Sequence, residues 1–243
     1  MLFNIKHYQS LESTNSEAVR LASAGASEGT VTITENQTAG RGQRNNVWES
    51  EPGKNLTFTL ILRPHFIPVH KLFILSKAFG LSVVKAMDDI IPCSVKWPND
   101  IYTEGRKLAG ILLEHSFSGD SLLFSVIGAG VNINQSQFSP EAPNATSLFV
   151  ETGKVHDTEA ILSSILHIFS EYYEQLRKGE YSEVQKGYFD KLYCKTGYHA
   201  YITPQGERFC ARIADIYDSG ELVLETENGE KREFLFKQIV LDC

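Results

Sequence analysis

Leu56, Phe58, Leu60 and Leu62 alternate with Thr57, Thr59 and Ile61, the period-two pattern of a strand with one well-buried face. Similar short runs predict strands over 2–8, 30–35, 95–97, 100–102, 107–115 and 122–131. Pro98 stops the 95–97 run, and Glu104-Gly105 and Ser118-Gly119-Asp120 supply tight turns between the later ones. Over 69–87, Leu72, Phe73, Leu75, Phe79 and Val83 recur at helical spacing, so a long amphipathic helix that serves core packing is expected. Ile161, Ile165, Ile168 and Tyr172 predict a second helix over 158–176, and 181–192 a third. Near the start, Thr14 and Glu17 stand at capping-box spacing before Ala18, Leu21 and Ala22, with Gly25 as terminator. Residues 135–143 read as an irregular loop. After Lys195-Thr196-Gly197 the texture changes to short strands at 198–202, 209–217, 222–226 and 232–236, joined by Gly206, Asp218-Ser219-Gly220 and Asn228-Gly229. The expected division is a main domain over 1–193 and a small all-β domain over 194–243, too small to hold a large core alone.

Composition narrows the class. A hydrophobic content of 42% and a charged content of 22% are ordinary for a soluble globular protein. The net charge of −7 argues against a dedicated nucleic-acid surface, so no nucleic-acid partner is expected. No signal peptide and no apolar run long enough for a membrane span are visible, which points to a cytoplasmic protein without membrane contact. Cys93, Cys194, Cys210 and Cys243 are scattered without metal-binding or redox spacing and read as reduced thiols. The seven histidines show no metal-ligand spacing either.

Candidate chemistry begins with the loop Gln37-Thr38-Ala39-Gly40-Arg41-Gly42-Gln43-Arg44-Asn45-Asn46-Val47-Trp48, set between two predicted strands. Long loops between short strands are often functional. Two glycines let the backbone approach a ligand, Arg41 and Arg44 suit phosphate or carboxylate, and Trp48 offers a flat surface that would cover a heterocycle or close the loop. Taken alone, the stretch is equally well a solvated surface loop. Lys96, Asp100, Lys107 and Asn132 fall on neighbouring strands or their connections, where charges are costly to bury unless paired or bound. A structural salt-bridge cluster is the plainer reading of these. Ser13 and Thr14 need be only helix caps, although a helix start also leaves N–H groups free to recognise a small polar ring.

The combination is more specific than its parts. Ser13-Thr14-Asn15, the 37–48 loop, Lys96-Trp97-Pro98-Asn99-Asp100, Lys107-Leu108-Ala109-Gly110 and Gly128-Ala129-Gly130-Val131-Asn132, in this order, resemble the catalytic domain of biotin protein ligases over nearly the whole chain. The resemblance implies an α+β fold: a mixed sheet with helices, like class II aminoacyl-tRNA synthetases and biotin ligases, plus a C-terminal SH3-like β-barrel. It implies an ATP-dependent enzyme that makes biotinyl-5'-AMP and passes biotin to a lysine of a biotin carboxyl carrier protein or domain. Among catalytic residues it implies Lys107 and Arg41, with Asp100 as a carboxylate for Mg²⁺, directly or through water. For biotin it implies Ser13, Thr14, Asn15, Gln37, Arg41, Gly42, Gln43, Lys107 and Gly110. For ATP it implies Arg41, Arg44, Trp48, Lys96 and Asn132, the last following a bend at Gly128-Ala129-Gly130.

Two departures from the commonest bacterial pattern stand out: Gln43 in place of an arginine, and Asn45-Asn46 in place of a glycine-arginine pair. They bear on how tightly the adenylate is held. A lipoate ligase shares the adenylating logic but fits the Gly-Arg-Gly loop and Lys-Trp-Pro-Asn-Asp less well. A biotin-sensing repressor would need an N-terminal helix-turn-helix, for which the biotin motif starting at Ser13 leaves no room. A non-catalytic biotin-binding module would leave Lys107, Asp100 and Arg41 without a task. Monomer and homodimer stay open.

Overall fold

The computed structural model describes residues 1–43 and 46–242. Strand β1 (Asn4–Leu11) leads through α1 (Thr14–Ser23) into β2 (Thr30–Gln37) and β3 (Leu56–Leu62). Helix α2 (Phe73–Met87) precedes a meander of β4 (Ser94–Lys96), β5 (Asp100–Thr103), β6 (Arg106–Ser118) and β7 (Ser121–Val131). Helices α3 (Leu148–Thr152), α4 (Thr158–Arg177) and α5 (Ser182–Asp190) follow, then β8 (His199–Ile202), β9 (Arg208–Ile216), β10 (Leu222–Thr226), β11 (Lys231–Phe234) and β12 (Val240–Leu241).

The first seven strands form one mixed sheet in the order β1-β2-β3-β7-β6-β5-β4. Only β1 and β2 pair in parallel, because α1 carries the chain back between them. Helix α2 packs on one face, with Phe58, Leu60, Leu75 and Phe79 in the main apolar cluster. On the other face, α1 sets Ala18 and Ala22 against Ile61, Phe124 and Val126. Strand β3 is therefore buried at all seven positions, which corrects the expectation of a single buried face: on its second face Ile61 packs under α1, Thr59 bonds Thr14 and Asn15, and Thr57 bonds Thr34 O. The 69–87 helix is corrected in the same way. It opens with a 3-10 turn over Val69–Lys71, a common helix entry. From Phe73 on it is buried nearly all round, since α4 and α5 cover the side away from the sheet.

The capping box is also overturned. Ser13 is the N-cap of α1 and makes no side-chain cap bond. The carboxylate of Glu17 instead accepts from Tyr8 Oη at 2.8 Å and from Arg20 Nη2 at 2.7 Å. An arginine and a phenol outcompete one backbone amide because one of them carries full charge.

The remaining strands form a five-stranded antiparallel sheet, β11-β10-β9-β8-β12, in keeping with a small C-terminal β domain. The two-residue β12 and the five-residue α3 were not expected, being too short to show a period. Tyr201, Ile213, Leu222 and Phe234 join the same buried cluster as the main-domain core, so the second sheet is docked rather than tethered. Cys93, Cys194 and Cys210 form no disulfide among the described residues, and burial pushes the Cys93 thiol up to about 12. No helix of the described residues is long and apolar enough to cross a membrane.

Candidate active site

Strand register explains why distant motifs meet. Lys96 pairs with Asp100, Asp100 with Gly110, Gly110 with Gly130, and Gly130 with Thr57. Residues directly opposite one another share a sheet face, so these five form one row across five strands. The next row on that face carries Leu112, Gly128 and Thr59. Helix α1 covers this face only at the Ile61–Val126 end. Over the glycines the face is left low, and it becomes the floor of a cavity of about 830 Å³.

Two side chains lie flat on that floor. A Cβ on Gly128 would stand 1.9 Å from Asn15 Oδ1, and one on Gly130 would stand 2.2 Å from Trp48 Cε2. These positions take glycine because of close approach, not because of a turn. Both sit inside the straight run of β7, so the expected bend at 128–130 is not present.

At one end of the cavity, Ser13, Thr14 and Asn15 are almost fully buried. Thr14 donates its backbone N–H and its hydroxyl to Gln37 Oε1, at 2.8 and 3.1 Å. Thr59 Oγ1 donates to Asn15 Oδ1 at 2.7 Å and lies 2.9 Å from Thr14 Oγ1. Asn15 Nδ2 donates to Glu114 Oε2 at 2.8 Å. The start of α1, the end of β2 and the middle of β3 are thus locked into one polar network.

At the other end lie the charges. Lys107 Nζ pairs with Asp100 Oδ1 at 2.8 Å and lies 5.7 Å from the Trp48 ring. Arg41 stands between the two ends: its Nη2 pairs at 2.9 Å with Glu114 Oε2, the oxygen that also accepts from Asn15. Lys96 Nζ sits 4.6 Å from the Tyr102 ring and 6.0 Å from that of Tyr193, with the Tyr102 hydroxyl at 3.4 Å. Trp48 is anchored by its backbone N–H to Gly40 O at 2.9 Å, while Arg41 and Val47 bridge beside it. Asn132 is buried and donates Nδ2 to Thr146 O at 2.9 Å. Its Oδ1 and the Nε1 of Trp48 are buried without a hydrogen-bond partner among the described residues. One is an acceptor and the other a donor, which suits a heterocycle edge bearing both.

Every candidate site residue from the sequence lines this cavity except Arg44, which with Asn45 lies outside the described residues; Gly40 is not part of the lining and instead lets the chain pass close to Trp48 O. Gln43 and Gly42 are at its rim with Arg41. The sequence reading missed several others. Glu114 shares the strand alternation of Gly110 and Leu112, and that alternation was the available signal. Tyr193 arrives only because the chain after α5 pairs with β4, donating its N–H to Val95 O at 2.9 Å. Tyr201, Ile213, Leu222 and Phe236 of the second sheet close one wall, with Lys237 at its rim. No local pattern announces a wall from another domain. Among the described residues no group of three metal-ligating side chains gathers, and Asp100 is already paired.

A profile described as the biotin/lipoate A/B protein ligase family matches residues 8–132. The chain is 32% identical to the bifunctional ligase/repressor BirA of Bacillus subtilis, over 93% of this chain and 70% of that protein. It is also 32% identical to a biotin–[acetyl-CoA-carboxylase] ligase of Paracoccus denitrificans, over 90% of this chain and 93% of that one. Among solved structures, the biotin protein ligase from Aquifex aeolicus in complex with biotin and ATP superposes with a TM-score of 0.81. It is 28% identical, with 99% of each chain covered.

Proposed function

The chain belongs to the biotin/lipoate A/B protein ligase family, and on that premise we propose that it is a biotin–protein ligase that activates biotin with ATP and transfers it to a carrier lysine. The observation that carries this reading is one cavity joining a neutral, closed polar pocket to a cluster of half-exposed cations. The related proteins that make up the comparison are themselves ligases of this kind.

Ser13, Thr14, Asn15 and Gln37 bind the ureido ring, and the valeryl chain runs over the glycine floor toward Lys107. A carboxylate oxygen of biotin then attacks the α-phosphorus of ATP and pyrophosphate leaves. Two anions meet in that step, so fixed positive charge at the meeting point lowers the barrier. Lys107 exchanges its bond to Asp100 for the two substrate anions, while Arg41 and Lys96 take further phosphate oxygens. Trp48 Nε1 and Asn132 Oδ1 offer a donor and an acceptor to the adenine. In the second step the amine of the carrier lysine forms an amide with the biotinyl carbon, and AMP departs with the electrons of the mixed-anhydride bond.

Among the described residues a site for Mg²⁺ is not preassembled. Asp100 bonds Lys107, and Glu49 and Glu141 also line the cavity. Asp100 would hold such an ion, directly or through water, as magnesium often takes one or two protein carboxylates. The ion would supply positive charge to the phosphates. The acidic balance supports a protein acceptor rather than a nucleic acid, in a cytoplasmic monomer or homodimer.

The test is direct. Incubation with ATP, biotin and a biotin carboxyl carrier domain should add one biotinyl group to the carrier in a mass spectrum. Lipoate in place of biotin should add nothing. Modification by lipoate but not biotin would overturn the reading.

A further inference from the structure

The wall contributed by the second sheet does more than close the cavity. Trp97 Nε1 donates to Gly220 O at 2.9 Å, and its indole meets the Phe236 ring edge to face at 6.3 Å. The next carbonyl, that of Pro98, accepts from Tyr188 Oη at 3.3 Å. Gly220 belongs to the turn between β9 and β10, and the main domain grips that turn from the other side. Asp218 Oδ1 accepts from Gln185 Nε2 of α5 at 2.7 Å, and Asp218 Oδ2 lies 3.3 Å from Lys71 Nζ. Lys77 Nζ of α2 donates to Ile216 O at 2.8 Å. The Phe73 ring packs so close that a Cβ on Gly220 would stand 2.9 Å from it.

Lys77 is 3% exposed, and its ammonium faces Asp218 and Asp215 only at a distance. Taking an ammonium out of water to meet a main-chain carbonyl is costly. Its burial here fixes the end of β9, and with it the turn that follows. Strand β4 is the outermost strand of the large sheet, and its outer edge is bonded at Val95, to Lys191 O and Tyr193 N, before the chain reaches the hairpin tip that separates Lys96 from Asp100. Trp97 sits at the tip of that hairpin, directly between the two charges.

We propose that the β9–β10 turn is a strut that positions the Lys96–Asp100 segment, with Trp97 as the positioning residue through which the second sheet acts on the phosphate end of the site. This rests on the reading of Lys96 and Asp100 as partners of the nucleotide phosphates. Displacement of the hairpin tip moves both charges together, and reacting groups misplaced by about an ångström lose large factors in rate. Among the described residues the strut's hydrogen bonds and ion pairs do not involve Ser13, Thr14, Asn15 or Gln37; of the proposed biotin contacts, Lys107 and Gly110 adjoin Asp100.

Two variants test it. Trp97→Phe keeps an aromatic ring beside Phe236 and deletes the donor; Asp218→Ala acts from outside the cavity. In biotin-dependent ATP–pyrophosphate exchange, Trp97→Phe should raise the KM for ATP about three- to tenfold, the worth of one hydrogen bond, and Asp218→Ala about two- to threefold. The biotin Kd by calorimetry should stay within about twofold for both, because the ureido-ring contacts at Ser13, Thr14, Asn15 and Gln37 share no partner with Trp97 or Asp218. An unchanged KM for ATP in folded variants, or parallel weakening of biotin, overturns the strut. Should Trp97→Phe fail to fold, Asp218→Ala decides alone. If the unaltered protein shows no biotin-dependent exchange, the proposed function fails and the strut is read separately, by amide hydrogen exchange over 96–100. Faster exchange there in Asp218→Ala supports the strut, and unchanged exchange overturns it.

Discussion

At one end of the cavity Ser13, Thr14 and Asn15 are 4, 3 and 4% exposed, and Thr14 and Asn15 are bonded to Gln37, Thr59 and Glu114. At the other end the side chains of Lys107 and Asp100 are 32 and 24% exposed and paired with each other, while Arg41, 45% exposed, joins the two ends through the Glu114 oxygen that Asn15 also bonds. The contrast matches what the proposed function asks of each end. A small neutral ring offers few hydrogen bonds, so selectivity needs donors and acceptors already fixed, and leaving one unpaired is penalised. Phosphates arrive with several charges, so the protein needs cations that can change partners. Ion pairs exposed to this degree contribute about 0–1 kcal/mol each, which a substrate anion easily outbids. One end is rigid because its bonds are buried, and the other is exchangeable because its bonds are weak.

Changing Lys107 should separate the two ends most widely. Lys107→Ala should cut pyrophosphate exchange about a hundredfold or more, since a positioned transition-state cation is worth that much. Its thermal stability should shift little, because the lost pair with Asp100 is partly solvated. Near-normal turnover would remove Lys107 from the chemistry and break the comparison at its exchangeable end.

Asn15→Ala tests the rigid end and should show the opposite signature. It removes the Thr59 hydroxyl's bond to Asn15, leaving Thr14 Oγ1 as its acceptor, and removes one of the donors to Glu114. The expected cost is about 1–3 kcal/mol in denaturant unfolding, because buried hydrogen bonds are lost, one of them to a carboxylate. Biotin affinity by calorimetry should fall about tenfold, with the KM for ATP changed much less. If ATP and biotin weaken alike, the two ends are not separable units.

The smallest effect is expected at Gln43, on the rim between the ends. Gln43→Arg adds a cation where the resemblance expects one. Dissociation of preformed biotinyl-adenylate should slow about three- to tenfold, the worth of one charge-assisted bond after partial compensation by Arg41. Biotin affinity alone should stay nearly constant. An unchanged off-rate at matched salt would mean that position 43 points away from the phosphate.

The strands that carry the site were legible because a strand's period is two and its turns use few residue types. The alternation at 56–62 and the Glu104-Gly105 and Ser118-Gly119-Asp120 turns are local facts, and the sheet meets them within a residue or two. Where neighbours compete, the local reading fails. Glu17 sits at capping-box spacing, yet Tyr8 and Arg20 reach it instead. Residues 69–87 read as amphipathic because no sequence window shows that α4 and α5 cover the outer side of α2.

By itself the sequence determined which chemistry was available: two glycines around Arg41, lysines at 96 and 107, a carboxylate at 100, and a change of texture near residue 198. Tertiary structure alone decided how these meet. Register set Lys96, Asp100, Gly110 and Gly130 in one row. It paired Lys107 with Asp100, brought Glu114 to both Asn15 and Arg41, and placed the second sheet against Trp97. The reason is physical: backbone period and turn chemistry act over a few residues, whereas register is chosen by burying both faces of the sheet at once, which no short stretch of chain can record.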